Sequence, residues 1–196
     1  MYGIDEAGRG ALAGPVVVAC VGGLPDAEWV SGLRDSKRMT PRRREVMFDH
    51  ITADAAWVRT ATVDAPTVDA KNVLRANLDA MGSLADAVLQ HDPRASVVVD
   101  GDQWPTGHGP GGRVACVVKA DASVREAMAA GIVAKVTRDR VMAAYPDERF
   151  SFAAHKGYGT ARHYQELQAH GAIPGFHRRS FNLRLPLSAS DLPFVG

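Results

Sequence analysis

The chain has 196 residues, 46% of them hydrophobic and 23% charged, with a formal net charge of +1. That composition fits one soluble globular domain able to bury a core without disulfide or metal staples, and its charge balance does not by itself announce a nucleic-acid binder. No apolar run is long enough to span a bilayer and no signal peptide precedes Ile4, so a cytoplasmic protein without membrane contact is expected.

Residues 2–6 read as a short strand and PVVVACVGG (15–23) as a second, buried one. Thr40-Pro41 starts a helix through Arg42–Ile51, with Thr40 as N-cap and Pro41 at its first position. WVRTATV (57–63) alternates like a half-buried strand. Thr67 is expected to cap one long helix to about Gln90, because Val73, Leu74, Leu78, Met81, Leu84, Val88 and Leu89 fall at helical spacing. SVVVD (96–100) and RVACVVK (113–119) read as buried strands, joined by a glycine-rich loop expected to be mobile. Cys20 and Cys116 both lie in apolar runs, read as buried strand thiols of a reducing compartment, and lack metal-type spacing. A second long helix spans 122–143, its AMAAGIVA segment small enough to approach a sheet closely. A third spans 160–171, between Thr160 as N-cap and Gly171 as stop. The pattern predicts an α/β sheet flanked by helices, with a catalytic core over 1–144 and a helical extension of the same structural domain over 145–196.

Four carboxylates end or follow buried runs: Asp5 and Glu6 after the first, Asp100 after VVV, and Asp121 after RVACVVKA. Strand ends meet at one edge of an open sheet, where ligands collect. Acids gathered there repel one another unless a cation sits among them, and hard oxygen donors suit Mg²⁺ or Mn²⁺. Two such ions can activate water and stabilise the leaving oxygen of a phosphodiester. Taken singly, each acid also fits a turn or cap, Asp121 an N-cap above all. Asp5 and Glu6 are neighbours, and neighbours on a regular strand face opposite sides. They can share a site if the strand twists or bulges there, or if Glu6 already lies in the loop.

GIDEAGRG (3–10), LAGPVVV, DSK (35–37), VVDG (98–101), AKVTRDR (134–140), HKGYGT (155–160) and HRRSF (177–181) together resemble the ribonuclease HII family, in the family's order and over nearly the whole chain. The resemblance implies a ribonuclease H-like sheet with a C-terminal helical extension. It implies endonucleolytic cleavage of RNA in RNA–DNA hybrids and incision 5′ of single ribonucleotides in duplex DNA. Both would be Mg²⁺- or Mn²⁺-dependent and would leave 3′-hydroxyl and 5′-phosphate ends. It assigns the metal ligands to Asp5, Glu6, Asp100 and Asp121, and sugar and phosphate recognition to Gly8, Arg9 and Gly10. Glycines let the backbone approach a ribose 2′-hydroxyl, and an arginine fork holds a phosphate. Tyr158 maps onto the family's sugar-stacking tyrosine. Lys37, Lys156, His177 and Arg178 fall in family motifs and are expected at the nucleic acid. Further basic residues (Arg42, Arg43, Arg44, Lys135, Arg138, Arg140, Arg179) supply a duplex-binding face, although about half are expected to be solvated helix charges.

The chain departs from the family pattern at Ala11, Asp102, Ala120 and Gly131, the last two expected near the fourth acid. These changes bear on positioning, rate and junction preference. Competing readings are weaker. Type 1 ribonucleases H lack the adjacent Asp-Glu in this context, ribonuclease HIII needs an extra domain before Tyr2, and sugar-kinase-like phosphotransferases need a second phosphate-binding repeat. A catalytically weakened hybrid-binding protein is the non-enzyme alternative, and the four acids argue against it. A monomer is expected, with weak replication-clamp docking through Leu192-Pro193-Phe194 as a further partner.

Overall fold

In the computed structural model, which describes residues 1–185, five strands form one mixed sheet in the order β3-β2-β1-β4-β5. β1 (Tyr2–Ala7) pairs antiparallel with β2 (Val16–Gly22), which pairs antiparallel with β3 (Trp57–Val63). On the other side of β1, β4 (Val97–Asp100) and β5 (Val114–Val117) run parallel to it. Every residue of β2 is buried, which is why it reads as a continuous apolar run rather than an alternating one.

The helices are α1 (Glu28–Ser31), α2 (Pro41–Asp54), α3 (Ala65–Lys71), α4 (Val73–His91), α5 (Ala120–Ser123), α6 (Arg125–Ala143), α7 (Phe152–His155) and α8 (Ala161–His170), with a 3-10 turn at Ser36–Arg38. On one sheet face, Ala80, Met81, Leu84 and Val88 of α4 cover Ile4, Val18 and Val99. On the other, Ile132 and Val133 of α6 and Met47 and Ile51 of α2 cover Val17, Ala19 and Val21. The small-residue stretch of α6 does bring helix and sheet together: a Cβ added at Gly3 would lie 2.2 Å from the Ala127 backbone nitrogen. Residues 145–185 build a third cluster, in which Phe150, Phe152 and Leu167 pack on Leu12, Ala13 and Met142. A lone β-bridge joins Ala13 to His177.

The caps behave as the sequence predicts at Thr40, which accepts from the Arg43 amide, and at Thr160, which accepts from the His163 amide. Three expectations are corrected. No single helix runs from Thr67. Asp64 caps α3, and Asn72, at φ 64°, ends it and caps α4 through the Arg75 amide. The helix expected from 122 is divided at Val124, whose extended backbone separates α5 from α6. Cys116 is half-buried on the edge strand β5, unlike Cys20. The glycine-rich loop after β4 is tied to α4 where Thr106 bonds Asp79 and the Leu78 carbonyl. Leu192-Pro193-Phe194, the expected docking segment, lies outside the described residues.

Candidate active site

Three of the four acids converge. One carboxylate oxygen each from Asp5, Asp100 and Asp121 lie within 4.8 Å of one another. The topology causes this. β1, β4 and β5 are parallel neighbours, so their C-terminal ends share an edge. Ile4 stands beside Val99 in register, which brings the next residues, Asp5 and Asp100, to that edge. α5 follows β5 directly and delivers Asp121, whose amide donates to Asp100 Oδ1 at 3.4 Å.

Glu6 is not part of the three-oxygen set. Pairing of β1 with β2 continues without a bulge through Ala7, so the strand neither bends at Glu6 nor ends before it. Asp5 therefore faces α6 and Glu6 faces α4, where the Asn77 side chain meets it. Pairing with β4 stops at Ile4, so both faces of the strand end open into one cleft of about 190 Å³. Asp5, Glu6, Gly8, Arg9, Lys37, Asp100, Lys135 and Tyr158 line it.

The electrostatics are those of crowded acids. Burial, then the charges of Glu6 and Asp100, push the Asp5 carboxyl well above the usual aspartate range. Glu6 is raised by burial, with Arg9 opposing from 3.3 Å. Asp100 is raised by burial and by Asp121. Lys37 places Nζ 3.1 Å from Asp121 Oδ2. Burial disfavours its charge, but the Asp121 hydrogen bond and the surrounding acids raise its pKa overall.

The remaining predicted residues divide. The turn Gly8–Ala11, closed by the Ala11 amide on the Gly8 carbonyl, borders the cleft with Arg9 and Gly10 exposed. Tyr158 presents its ring to the cleft, with Lys135 Nζ 5.6 Å and the Arg138 guanidinium 5.2 Å from its centre. Lys156 turns away: its Nζ meets the Asp139 carbonyl at 3.4 Å, in a neighbouring groove with Arg44, Glu45 and Arg140. His177 and Arg178, expected at the nucleic acid, are 1% and 0% exposed and cannot touch a phosphate as they stand. His177 is bonded to His163 and the Ile173 amide, and Arg178 to backbone carbonyls. Arg138, expected on the basic face, is also fully buried, against the Ala13, Pro15 and Lys156 carbonyls.

Gly131 packs against Asp5, whose carboxylate stands within 4.8 Å of that of Asp121: a Cβ at Gly131 would stand 2.3 Å from Asp5 Oδ2. Asp102 is exposed and lines a groove with Asp100, and its charge adds to burial in raising the pKa of the Cys116 thiol. Asn77, 1% exposed beside Glu6, was not legible as a site residue, since a helical asparagine carries no local signal of what it faces.

Comparison with known proteins agrees with this geometry. The family model described as Ribonuclease HII matches residues 2–184. The chain is 48% identical over 183 residues to a ribonuclease HII of Paracidovorax citrulli, covering 91% of this chain and 72% of that protein. It is 44% identical over 181 residues to one from an Acidovorax species, covering 91% and 83%. Among solved structures, the fold is shared with the ribonuclease HII of a PCNA:RNase HII complex from Archaeoglobus fulgidus (TM-score 0.69, 24% identity, 97% of this chain and 99% of that one). It is also shared with Bst-RNase HIII in complex with Mn²⁺ (TM-score 0.65, 17% identity, 93% and 67%). A match along residues 2–184, with curated relatives at this identity, establishes that the chain belongs to the ribonuclease HII family and is a ribonuclease H nuclease.

Proposed function

We propose that the protein cleaves the RNA strand of RNA–DNA hybrids and incises 5′ of single ribonucleotides in duplex DNA, by two-ion hydrolysis that leaves 3′-hydroxyl and 5′-phosphate ends. One observation carries the reading: Asp5 and Asp100 of the three-carboxylate cluster line the same cleft as a glycine turn and a tyrosine ring. The first suits chemistry on phosphate, the others recognition of a sugar.

Asp5, Asp100 and Asp121 fit a hard divalent cation, being oxygen donors held close, with Lys37 on Asp121 as the cation bonded to the cluster among the described residues and the Asp5 and Asp100 carboxyls still raised. Glu6 is the fourth acid on the cleft wall. When bound, Mg²⁺ or Mn²⁺ supplies the Lewis acidity that phosphodiester hydrolysis requires. A Mn²⁺ complex of the Bst-RNase HIII neighbour supports the metal class.

The protein's own groups hold and select the substrate. The Gly8–Ala11 turn offers backbone groups to the ribose 2′-hydroxyl. Tyr158 offers a flat face to the following sugar, where a second 2′-hydroxyl would crowd it. Exposed Arg9, together with Lys37 and Lys135, gives the phosphates positive partners at the cleft.

The test is incision of a labelled DNA duplex carrying one ribonucleotide, with Mg²⁺ or Mn²⁺, for the wild type and Asp100→Asn. Cleavage 5′ of the ribonucleotide, lost in the variant and in chelator, is the expected result. A folded wild-type protein that binds the duplex without cutting it would overturn the reading in favour of a hybrid-binding protein.

A further inference from the structure

Among the described residues, no carboxylate bonds Arg178. Its guanidinium is fully buried and bonded only to backbone carbonyls: Nη1 to Arg9 at 2.9 Å, and Nε and Nη2 to Gly14 at 3.1 and 2.9 Å. Its own amide holds the Leu12 carbonyl at 2.8 Å. A buried guanidinium is costly to desolvate, and it lies near a second one, Arg138, which takes the Ala13 and Pro15 carbonyls. Both side chains thus act on the one stretch between β1 and β2.

The contact to Arg9 matters most. Gly8–Ala11 is a four-residue turn, and the Arg9–Gly10 peptide is its central unit. That central peptide can rotate by about half a turn while the ends stay fixed, which is the difference between type I and type II turns. A type II turn needs positive φ at the third position, which glycine adopts without strain. Gly10 is outside the positive-φ region here, and nothing lies within 4 Å of where its Cβ would be, so no side chain blocks the rotation. The contact that fixes the observed state is Arg178 drawing the Arg9 carbonyl inward. In a planar trans peptide the N–H points opposite to the preceding C=O. Pulling the Arg9 carbonyl in therefore turns the Gly10 N–H out, where it bonds no acceptor among the described residues.

We infer that Arg178 is a positioning residue for ribonucleotide selection: its fork locks the central peptide of the Gly8–Ala11 turn so that the Gly10 N–H is presented to the ribose 2′-oxygen. This rests on the reading of that turn as the sugar-recognition element. Arg178 reaches no substrate atom itself. Lysine in its place keeps the charge but, lacking the planar fork, cannot hold Gly14 and Arg9 together.

The test compares binding of two duplexes identical but for one ribonucleotide, in an Asp100→Asn background that prevents hydrolysis, for Arg178 and Arg178→Lys. The expected result is a loss of about tenfold in preference for the ribonucleotide duplex, with all-DNA affinity and its salt dependence unchanged. Retained preference overturns the inference and leaves the recognition reading standing. An equal loss for both duplexes, with the salt slope smaller by about 0.9, means that Arg178 meets a phosphate, and overturns it also. If the parent shows no preference between the duplexes, the recognition reading fails and takes the inference with it. Should Arg178→Lys not fold, ¹⁵N-glycine-labelled parent protein decides. The Gly10 amide signal, assigned by its absence in Gly10→Ala, must shift with the ribonucleotide duplex and not with the all-DNA one. Equal shifts, or none, overturn the inference.

Discussion

Asp5 is held by the fold in a state that its surroundings disfavour. Burial and the neighbouring Glu6 and Asp100 charges raise its pKa, so the ionised form is penalised at neutral pH. A carboxyl whose folded pKa lies above its unfolded one adds stability at low pH and loses it as pH rises through the folded value. At neutral pH Asp5 therefore weakens the metal-free protein. Asp5→Asn is expected to stabilise that form, while removing cleavage. Calorimetry in chelator should show the higher melting temperature of the variant, and added Mn²⁺ should raise only that of the wild type. Gly131 acts on the same carboxylate from α6. Gly131→Ala would thrust a methyl group 2.3 Å from Oδ2, displacing the oxygen. Mn²⁺ affinity, read by titration calorimetry, is expected to fall about tenfold, as when a group that orients a ligand is altered.

Asn72 shows how an element boundary can be hidden in a periodic sequence. At φ 64° and ψ 158° it sits in a region that side chains avoid, yet its Oδ1 caps α4 through the Arg75 amide at 2.9 Å. Asn72→Ala loses the cap and keeps the strain, for an expected cost of about 2 kcal/mol; Asn72→Gly loses the cap but relieves the strain and should cost less. Urea denaturation of the two variants checks the order. Thr67 looks like the start of α4 because apolar spacing carries on past Asn72, and periodicity does not register a single residue of positive φ. The strands, α2, α8 and their caps were legible because burial and capping leave local patterns. The convergence of Asp5, Asp100 and Asp121 was legible too, since Asp5 and Asp100 lie toward the C-terminal ends of two strands, Asp121 comes shortly after a third, and parallel strands share an edge. What was not legible was direction. Arg178 and His177 stand in a basic motif that reads as a phosphate-binding surface. Their burial is decided by Phe150, Phe152 and Gly14, remote in sequence. The separation of Asp5 from Glu6 followed from strand alternation, but that both would open into one cleft depended on where pairing with β4 stops.

Across the whole molecule, a line of histidines joins the C-terminal segment to the cleft. The Ile173 amide donates to His177 Nδ1, so the proton of that ring is on Nε2, facing His163 Nε2 at 3.0 Å. His163 must then accept there and donate from Nδ1 to the Tyr158 carbonyl, also at 3.0 Å. Every link holds only while both rings are neutral; a second proton on either sets two N–H groups against each other. Burial, then the charge of His163, pushes His177 down to about 4, and burial lowers His163. Because these folded values lie below the ordinary histidine value of about 6.5, the unfolded chain binds more protons between the two. The stabilisation is complete above about pH 6.5 and is lost as pH falls toward 4, an expected loss of about 2 kcal/mol. Glu166 does not confuse that window. Burial opposes its ionisation, but hydrogen bonds from Ser151, His155 and Arg162 hold it at about 2, so its contribution is lost only below the usual glutamate range. His177→Gln keeps an acceptor for Ile173 and a donor for His163 while removing one titration. Its urea midpoint should change less than that of the wild type between pH 7 and pH 4.5. An equal change in the two proteins would place the acid sensitivity elsewhere. Since the line ends on the backbone of Tyr158, duplex affinity in the wild type should weaken over the same window.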